Sequence, residues 1–187
     1  MNQENKRGVP VFIFVLIPAI LIGMYVYAAF FDVPAPEQTI TNFYEAYFDR
    51  DFDTVAENLS VFWAVGFLPD YEQLPPDELL SNRIDIMKKT AAFIAGIEQN
   101  NTVPQNVQIE ILQEYTREAE NSAIVAYQFI ENEKTTSMEA AILIRENGKF
   151  RIFNMTPVDP VSLQQIQNVD ISILDKNFEQ LLTSKNF

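Results

Sequence analysis

The feature that most constrains this chain is an uncharged apolar run near its N-terminus. The run begins at Val9, ends at Phe31 and contains no Asp, Glu, Lys or Arg. A helix of this length rises about 35 Å, at about 1.5 Å per residue, which exceeds the roughly 30 Å of a bilayer core. A soluble helix this long would carry a polar face, and this run has none. We therefore predict that residues 9–31 form a single transmembrane helix.

The residues that flank the run set its predicted orientation. Lys6 and Arg7 precede it and Asp32 follows it. Basic residues remain on the cytoplasmic side, so residues 1–8 are predicted to be a cytoplasmic tail and the remainder of the chain to be extracytoplasmic. A cleaved signal peptide is the alternative, because the segment that ends at Ala28 offers small residues to a peptidase. We favour a retained single-pass anchor in the cell membrane, since the run exceeds the roughly 7–15 apolar residues of a signal peptide.

Composition excludes several classes of chemistry. The 187 residues include no cysteine and no histidine, which rules out disulfides, thiol nucleophiles, histidine triads and histidine metal sites. The five glycines are too scattered for a phosphate-binding loop. A net charge of −13 argues against nucleic acid as a partner. We predict no cofactor, no metal site and no catalytic residue.

Proline content and periodicity divide the rest of the chain. Residues 32–36 contain Pro34 and Pro36 and are predicted to be a short stiff linker. Residues 37–159 are predicted to be one domain, because helical and alternating apolar patterns follow one another without a break in composition. Residues 160–187 are predicted to be a C-terminal tail, with room for a short helix where leucines and Phe178 fall at helical spacing.

The first half of the predicted domain has helical periodicity. A helix is predicted from Glu37, followed by a short second helix near Leu59. One long helix is predicted after Pro76 because two apolar stripes run through it. The first stripe is Leu80, Ile84, Met87, Ala91 and Ile94, and the second is Leu79, Ile86, Phe93 and Ile97. The segment around Trp63, between these helices, fits either a short strand pair or a packed loop.

The second half alternates as strands do. Apolar and polar residues alternate over residues 107–111, and two further apolar strands are predicted within residues 122–130 and 138–144. The dipeptide Asn147-Gly148 before the next apolar run is the strongest short-range signal of a β-hairpin. Helices followed by an antiparallel meander predict an α+β fold, in which the long helix lies across the sheet.

The order of these elements resembles a known superfamily. The stretch PEQTITNFYEAYFDRDFDTVAENLS, residues 36–60, is similar to the opening helix pair of nuclear transport factor 2-like domains, also called cystatin-like α+β cones. The likeness extends over about residues 36–157 and implies a curved antiparallel sheet with a conical pocket under its helices. The most similar members are bacterial, with an N-terminal anchor and one exported domain. Because the superfamily includes both enzymes and scaffolds, the fold alone does not select a function.

Aromatic residues are the candidates for lining such a pocket, with plain core packing as the alternative. They are Trp63, Phe67 and Tyr71 in the irregular segment and Tyr115, Tyr127 and Phe129 on the sheet.

Acidic residues suggest two further sites. The alternating Asp49, Asp51 and Asp53 look like the start of a calcium loop, but that loop's glycine and glutamate are missing, so a helix corner capped by Asp is predicted. Carboxylates available for acid–base chemistry are Asp70, Asp77, Glu110 and Glu114, and no motif distinguishes them from solvated side chains.

These observations predict a membrane-anchored, extracytoplasmic, non-catalytic interaction or scaffold module with a protein partner at or near the membrane. The alternative is a small-ligand-binding protein or a carboxylate-dependent enzyme that uses the cone pocket. The state of the pocket distinguishes the two, because an interior filled with aromatic rings favours the scaffold. An open pocket with a buried carboxyl of raised pKa favours the enzyme.

Overall fold

The computed structural model describes residues 16–18, 20–22, 35–102 and 106–184. The chain divides into two units, Met1–Val33 and Pro34–Phe187. Within the first unit, the described residues are helical. In the ranges given above, no helix combines the length and the apolar character needed to cross a bilayer. Most of residues 9–31 lie outside those ranges, so the transmembrane helix stays a prediction.

The second unit contains seven α-helices and five strands among its described residues. The helices are α1 Pro36–Phe48, α2 Phe52–Asn58, α3 Val61–Ala64, α4 Pro76–Ser81, α5 Arg83–Ile97, α6 Pro160–Gln167 and α7 Ile171–Thr183. The strands are β1 Val107–Ile111, β2 Arg117–Glu118, β3 Ser122–Glu131, β4 Lys134–Glu146 and β5 Lys149–Pro157. Three short 3₁₀ helices add Val65–Phe67, Pro69–Tyr71 and Gln113–Tyr115.

The strands form one antiparallel sheet in the order β1-β3-β4-β5, with β2 paired to β3. Helices that precede an antiparallel sheet give the predicted α+β class. The β4–β5 hairpin turns at Asn147 and Gly148, with φ of 50° and 80°. Two consecutive positive φ angles are the mark of the primed turn that this dipeptide favours, so the predicted hairpin is confirmed.

The main core lies between α1 and one face of the sheet. Ile40 and Phe43 of α1 pack with Val125 of β3, Leu143 of β4 and Ile152 of β5, all of which are buried. Helical spacing on α1 and alternation on the strands bring these residues to one side of each element. The stability of this layer therefore comes mainly from apolar burial.

The acidic corner between α1 and α2 is a helix cap, as predicted. The Asp51 carboxylate accepts hydrogen bonds from the backbone N of Thr54 at 3.1 Å and from its hydroxyl at 2.7 Å. These bonds lower the pKa of the exposed Asp51 carboxyl. The cap satisfies a backbone donor at the start of α2 that has no partner inside the helix.

The prediction of one long helix after Pro76 is wrong, because the chain forms α4 and α5 with a break at Asn82. The Glu78 carbonyl accepts from both the backbone N and the side-chain amide of Asn82, each at 2.9 Å. The first predicted stripe fails at Ile84, which is 76% exposed, and the second at Phe93 and Ile97, which are 37% and 57% exposed. Their other members on α5 are buried, namely Met87, Ala91, Ile94 and Ile86. The prediction that this helix lies across the sheet is also wrong, because α5 packs mainly against α2.

The segment around Trp63 folds as α3 and two 3₁₀ helices. Of the two predicted alternatives, the packed loop is nearer to this structure than the strand pair. Ser60 caps α3, because its hydroxyl oxygen accepts from the backbone N of Phe62 at 3.1 Å. Pro69 opens the second 3₁₀ helix, where the missing backbone donor has no consequence.

The C-terminal helices α6 and α7 pack against the rest of the second unit. Leu163 and Phe178 are buried, and the Phe178 ring lies 5.0 Å from that of Phe153 on β5. Asp175 of α7 accepts hydrogen bonds from the backbone N of Asn121 at 2.6 Å and the hydroxyl of Ser122 at 3.0 Å. Residues 160–183 therefore contribute buried surface to the sheet that precedes them.

Candidate functional site

Two tyrosines and one glutamate meet between α1 and the sheet. The Tyr127 hydroxyl on β3 donates to Glu139 Oε2 on β4 at 2.7 Å, across a directly paired position of the two strands. The Tyr44 hydroxyl on α1 reaches the same oxygen at 2.9 Å and lies 3.1 Å from the Tyr127 hydroxyl. Tyr127 is fully buried and Tyr44 nearly so. The three side chains form a polar network in which the two tyrosines are buried and Glu139 is half-buried.

Aromatic rings fill the space around this network. The Phe129 ring lies 5.1 Å from Tyr44 and 5.8 Å from Tyr127, in edge-to-face contact with both. Phe43 makes the same kind of contact with Tyr44 at 4.9 Å. Five cavities are described among residues 35–102 and 106–184, and Tyr44, Tyr127 and Glu139 line none of them. The network therefore packs against neighbouring aromatic side chains and lines none of those five cavities.

Burial controls the protonation of the two phenols. Desolvation raises the pKa of Tyr127, and the neighbouring Tyr44 and Glu139 raise it further. Desolvation also raises the pKa of Tyr44. Both hydroxyls therefore stay protonated at neutral pH and serve as hydrogen-bond donors to the glutamate.

We expect these phenols to make the domain sensitive to alkaline pH. The unfolded chain loses phenolic protons above about pH 10, whereas folded Tyr127 keeps its proton. The stabilisation is fully present below that pH and is lost as the pH rises above it, by up to about 1.4 kcal/mol per phenol and pH unit. Urea unfolding of the full chain in detergent between pH 9 and 11 measures this loss.

The matched variants are Tyr127→Phe and Tyr115→Phe. The first removes a titrating phenol, so its free energy of unfolding should fall less steeply with pH than that of the parent. Tyr115→Phe is the control for loss of a phenol, because Tyr115 is half-buried and forms no side-chain hydrogen bond among the described residues. Equal slopes for all three chains would contradict this assignment.

A buried carboxyl belongs to Glu146, the last residue of β4, whose side chain is 0% exposed. The Ser60 hydroxyl donates to its Oε1 at 2.5 Å, the backbone N of Val61 donates at 3.1 Å, and Arg83 Nη1 donates to its Oε2 at 2.5 Å. Burial raises the pKa of Glu146, and the Arg83 guanidinium opposes that rise. All three donors require an acceptor, so the site holds a carboxylate that joins α3, α5 and β4.

The largest described cavity, of about 520 Å³, lies beside this ion pair and is lined mainly by charged side chains. Four of them are basic: Arg83 and Lys88 from α5, and Lys149 and Arg151 from β5. Two are acidic, Asp53 and Glu57 of α2, and the apolar lining consists of Ile84 and Met87. We call this cavity the basic groove.

A second cavity of about 380 Å³ adjoins the basic groove and shares Glu57, Lys149 and Arg151 with it. Its other charged lining residues are all acidic, namely Glu45, Asp49 and Asp51. The combined depression therefore changes from mainly positive to mainly negative along its length.

The aromatic candidates from the sequence are distributed over several places. Tyr127 and Phe129 lie together in the packed interior. Trp63 is half-buried, and its ring contacts that of Phe67 in a tilted arrangement at 4.7 Å. The exposed Phe67 contacts Phe93 at 5.3 Å. None of the six candidates lines any of the five cavities.

Tyr71 and Tyr115 lie apart from that group. Tyr71 is buried, its hydroxyl donates to Asp85, and the ammonium of Lys89 lies 4.6 Å from the centre of its ring. Tyr115 ends a 3₁₀ helix and is half-buried. The four carboxylates considered for acid–base chemistry, Asp70, Asp77, Glu110 and Glu114, are all exposed.

Sequence reasoning did not single out Glu139, Glu146 or the basic groove. A signal existed for the groove, because Lys149 and Arg151 alternate on one predicted strand and so project to the same side. The hairpin at Asn147-Gly148 also makes Glu146 the cross-strand partner of Lys149. No local pattern indicates that Ser60 and Arg83 meet Glu146, since those contacts join distant parts of the chain.

Compared with models of known protein families, with curated proteins and with solved structures, the chain matches none.

Proposed function

We propose that the chain is a membrane-anchored, extracytoplasmic interaction module without catalytic activity, and that it binds a protein partner through its outer surface. Residues 9–31 would be the anchor, with residues 1–8 in the cytoplasm and the Pro34–Phe187 unit outside. The observation that carries this proposal is the filled interior between α1 and the sheet, where a cone-type enzyme or carrier would keep its pocket.

The packing of that interior supports a binding role over a catalytic one. An enzyme of this type needs a space next to its acid or base in which a substrate can sit. Glu139 instead accepts from both tyrosines, and rings of Phe43 and Phe129 close around them. Admitting a substrate there would require displacing these rings from their contacts with Tyr44 and Tyr127.

The α+β fold is compatible with the nuclear transport factor 2-like resemblance, which we retain as part of the proposal. Several bacterial members with this arrangement of anchor and domain are scaffold components of secretion or conjugation machinery. A protein partner at or near the membrane is the expectation that follows for this chain.

One observation favours the alternative, a small-ligand binder or a carboxylate-dependent enzyme. Glu146 is a buried carboxyl of raised pKa beside the basic groove, which is a common mark of a functional acid. Its oxygens, however, accept from Ser60, Val61 and Arg83, and Glu146 is not among the groove's lining residues. A carboxylate occupied in this way acts as a structural ion pair.

Site-specific photocrosslinking of the full chain in native membranes tests the proposal. A photoreactive amino acid is placed in turn at Phe67, Ile84 and Ile173, which are 45%, 76% and 64% exposed. We expect a discrete protein adduct from at least one position, because a partner that covers the outer surface comes within reach of an exposed side chain.

The same chains without illumination provide the control for non-covalent association. The proposal would be contradicted if no position gave a protein adduct. A small molecule that copurified with the folded chain and was lost from Tyr127→Phe would then support the small-ligand alternative.

A further inference from the structure

We propose that the basic groove binds a short acidic segment of a partner protein, and that this segment also carries an apolar side chain. The inference rests on the proposed function and specifies the chemistry of the partner.

Positive charge is concentrated in the groove against the overall balance of the chain. The full sequence has a net charge of −13, yet four of the groove's eight lining residues are basic and two are acidic. Among the described residues, no carboxylate lies within 4.0 Å of a charged nitrogen of Lys88, Lys149 or Arg151. Arg83 is paired with Glu146, and Asp53 and Glu57 also line the groove, so part of the positive charge is balanced. The four basic groups still outnumber the two acidic ones in the lining, and a bound anion would complement that excess.

Two of the cations are held in place before any ligand arrives. Arg83 is fixed by Glu146 and by the carbonyls of Glu57 and Leu59, at 2.8 and 3.2 Å from its Nη2. Arg151 donates from Nη1 to the same Glu57 carbonyl, and no bond from its Nη2 is formed within the described residues. Guanidinium groups held in this way lose little further freedom on binding, which favours affinity.

Arg151 remains a cation under ordinary conditions. Burial and then the neighbouring Arg83 lower its pKa to about 10. At neutral pH the guanidinium is therefore still protonated, and its partial burial strengthens its attraction for a carboxylate.

The apolar part of the groove indicates a peptide in preference to a free anion. Ile84 is 76% exposed at the start of α5 and lines the groove together with Met87. An inorganic anion gains nothing from the Ile84 and Met87 side chains. A peptide that carries an apolar residue beside its acidic residues would bury these two side chains. Ile84 is also the residue of the predicted stripe that is exposed on α5, whereas Met87 is buried.

The adjoining cavity sets the length of the acidic stretch. Its lining changes to Glu45, Asp49 and Asp51, which would repel further acidic residues of the partner. We therefore expect the acidic residues of the segment to occupy the basic groove only, and a neutral or basic residue to follow toward the second cavity.

A binding titration with defined peptides tests the inference. The full chain is placed in nanodiscs of zwitterionic lipid, and fluorescence anisotropy is measured with a labelled six-residue peptide of glutamate and leucine. The expected result is saturable binding that weakens with salt and is absent for the same peptide with lysine in place of glutamate. Lys88→Glu combined with Lys149→Glu should weaken binding at least about tenfold.

Lys134→Glu is the matched control, because Lys134 is also exposed but lines none of the five cavities. It should leave the affinity within about twofold, which is the usual effect of a distant rim charge. Equal weakening by the control and by the groove variant would overturn the inference, as would absence of peptide binding. The inference would also be overturned if millimolar inorganic phosphate competed fully with the peptide, which would indicate a phosphate site. Stronger binding to vesicles of anionic lipid than to the peptide would overturn it in favour of a lipid surface.

Failure here is distinguishable from failure of the proposed function. If the peptide does not bind but a protein adduct still forms from Phe67 or Ile173, the partner uses another surface and only the groove assignment is wrong. If no adduct forms at any position, the interaction module itself is refuted.

Discussion

Replacing Glu146 with alanine should lower the free energy of unfolding by about 3–5 kcal/mol, the usual cost of removing one partner of a buried ion pair. The substitution leaves the Arg83 guanidinium, whose side chain is 16% exposed, without its carboxylate. It also leaves the Ser60 hydroxyl and the backbone N of Val61 without their acceptor. Chemical denaturation of the full chain in detergent measures the effect.

Glu118→Ala is the control, because it breaks an exposed ion pair of the same kind. Glu118 accepts from Arg145 at 3.2 Å, with half of the glutamate side chain exposed, and such pairs contribute about 0–1 kcal/mol. Replacing both Arg83 and Glu146 by methionine should recover part of the lost stability, because Arg83 is then no longer an unpaired charge. The Ser60 hydroxyl and the backbone N of Val61 still lack their acceptor in that variant. Similar losses for Glu146→Ala and Glu118→Ala would show that Glu146 is not enclosed as described.

Replacing Phe178 with alanine should also destabilise the domain by about 3–5 kcal/mol, which is typical of a large aromatic side chain in a core. Phe178 of α7 is 5% exposed and packs on Phe153 of β5. The measurement is thermal or chemical unfolding of the full chain, followed by a signal from the sheet.

Ile173→Ala, on the same helix, provides the comparison. Ile173 is 64% exposed, so its truncation should change stability by no more than about 0.5 kcal/mol. A large effect for Phe178 and a small one for Ile173 would mean that the folding unit includes residues 160–183, beyond the predicted boundary at residue 159. Two small effects would mean that α7 contributes little to the fold.

Local patterns predicted those elements whose cause is local. The hairpin at Asn147-Gly148 follows from backbone conformations that these residues adopt easily, and the Asp51 cap follows from its spacing to Thr54. The α+β order followed from the change from helical to alternating periodicity. Each of these features depends on residues within a few positions of one another.

The break between α4 and α5 and the contacts between distant residues were not predictable from local patterns. Apolar residues continue across Asn82, so periodicity gave no sign of the break between α4 and α5. On β4 both faces are apolar, with Ala140 and Ile144 buried as well as Leu143, and alternation therefore did not identify the inner face or Glu139 on it.

The candidate site shows the same limit. Tyr44 and Tyr127 are 83 residues apart, and Ser60 and Glu146 are 86 apart, so no spacing in the sequence announces their bonds. The aromatic candidates were chosen for size and clustering, and those properties do not distinguish a pocket wall from a filled core. Only the tertiary contacts place Tyr127 and Phe129 in the packed interior and Phe67 at the surface.

The central claim is that the outer surface of the domain binds the partner and that the interior does not. The most direct test is the crosslinking yield per folded chain in native membranes. The photoreactive residue is placed at Ile84, and the parent is compared with the interior variant Tyr127→Phe and the groove variant Lys149→Glu. The folded amount is measured by resistance to protease. We expect Tyr127→Phe to give the parental yield of protein adduct and Lys149→Glu to lose most of it. Loss of the adduct in Tyr127→Phe, with the folded amount unchanged and Lys149→Glu unaffected, would contradict the proposed function and place the working site inside the domain.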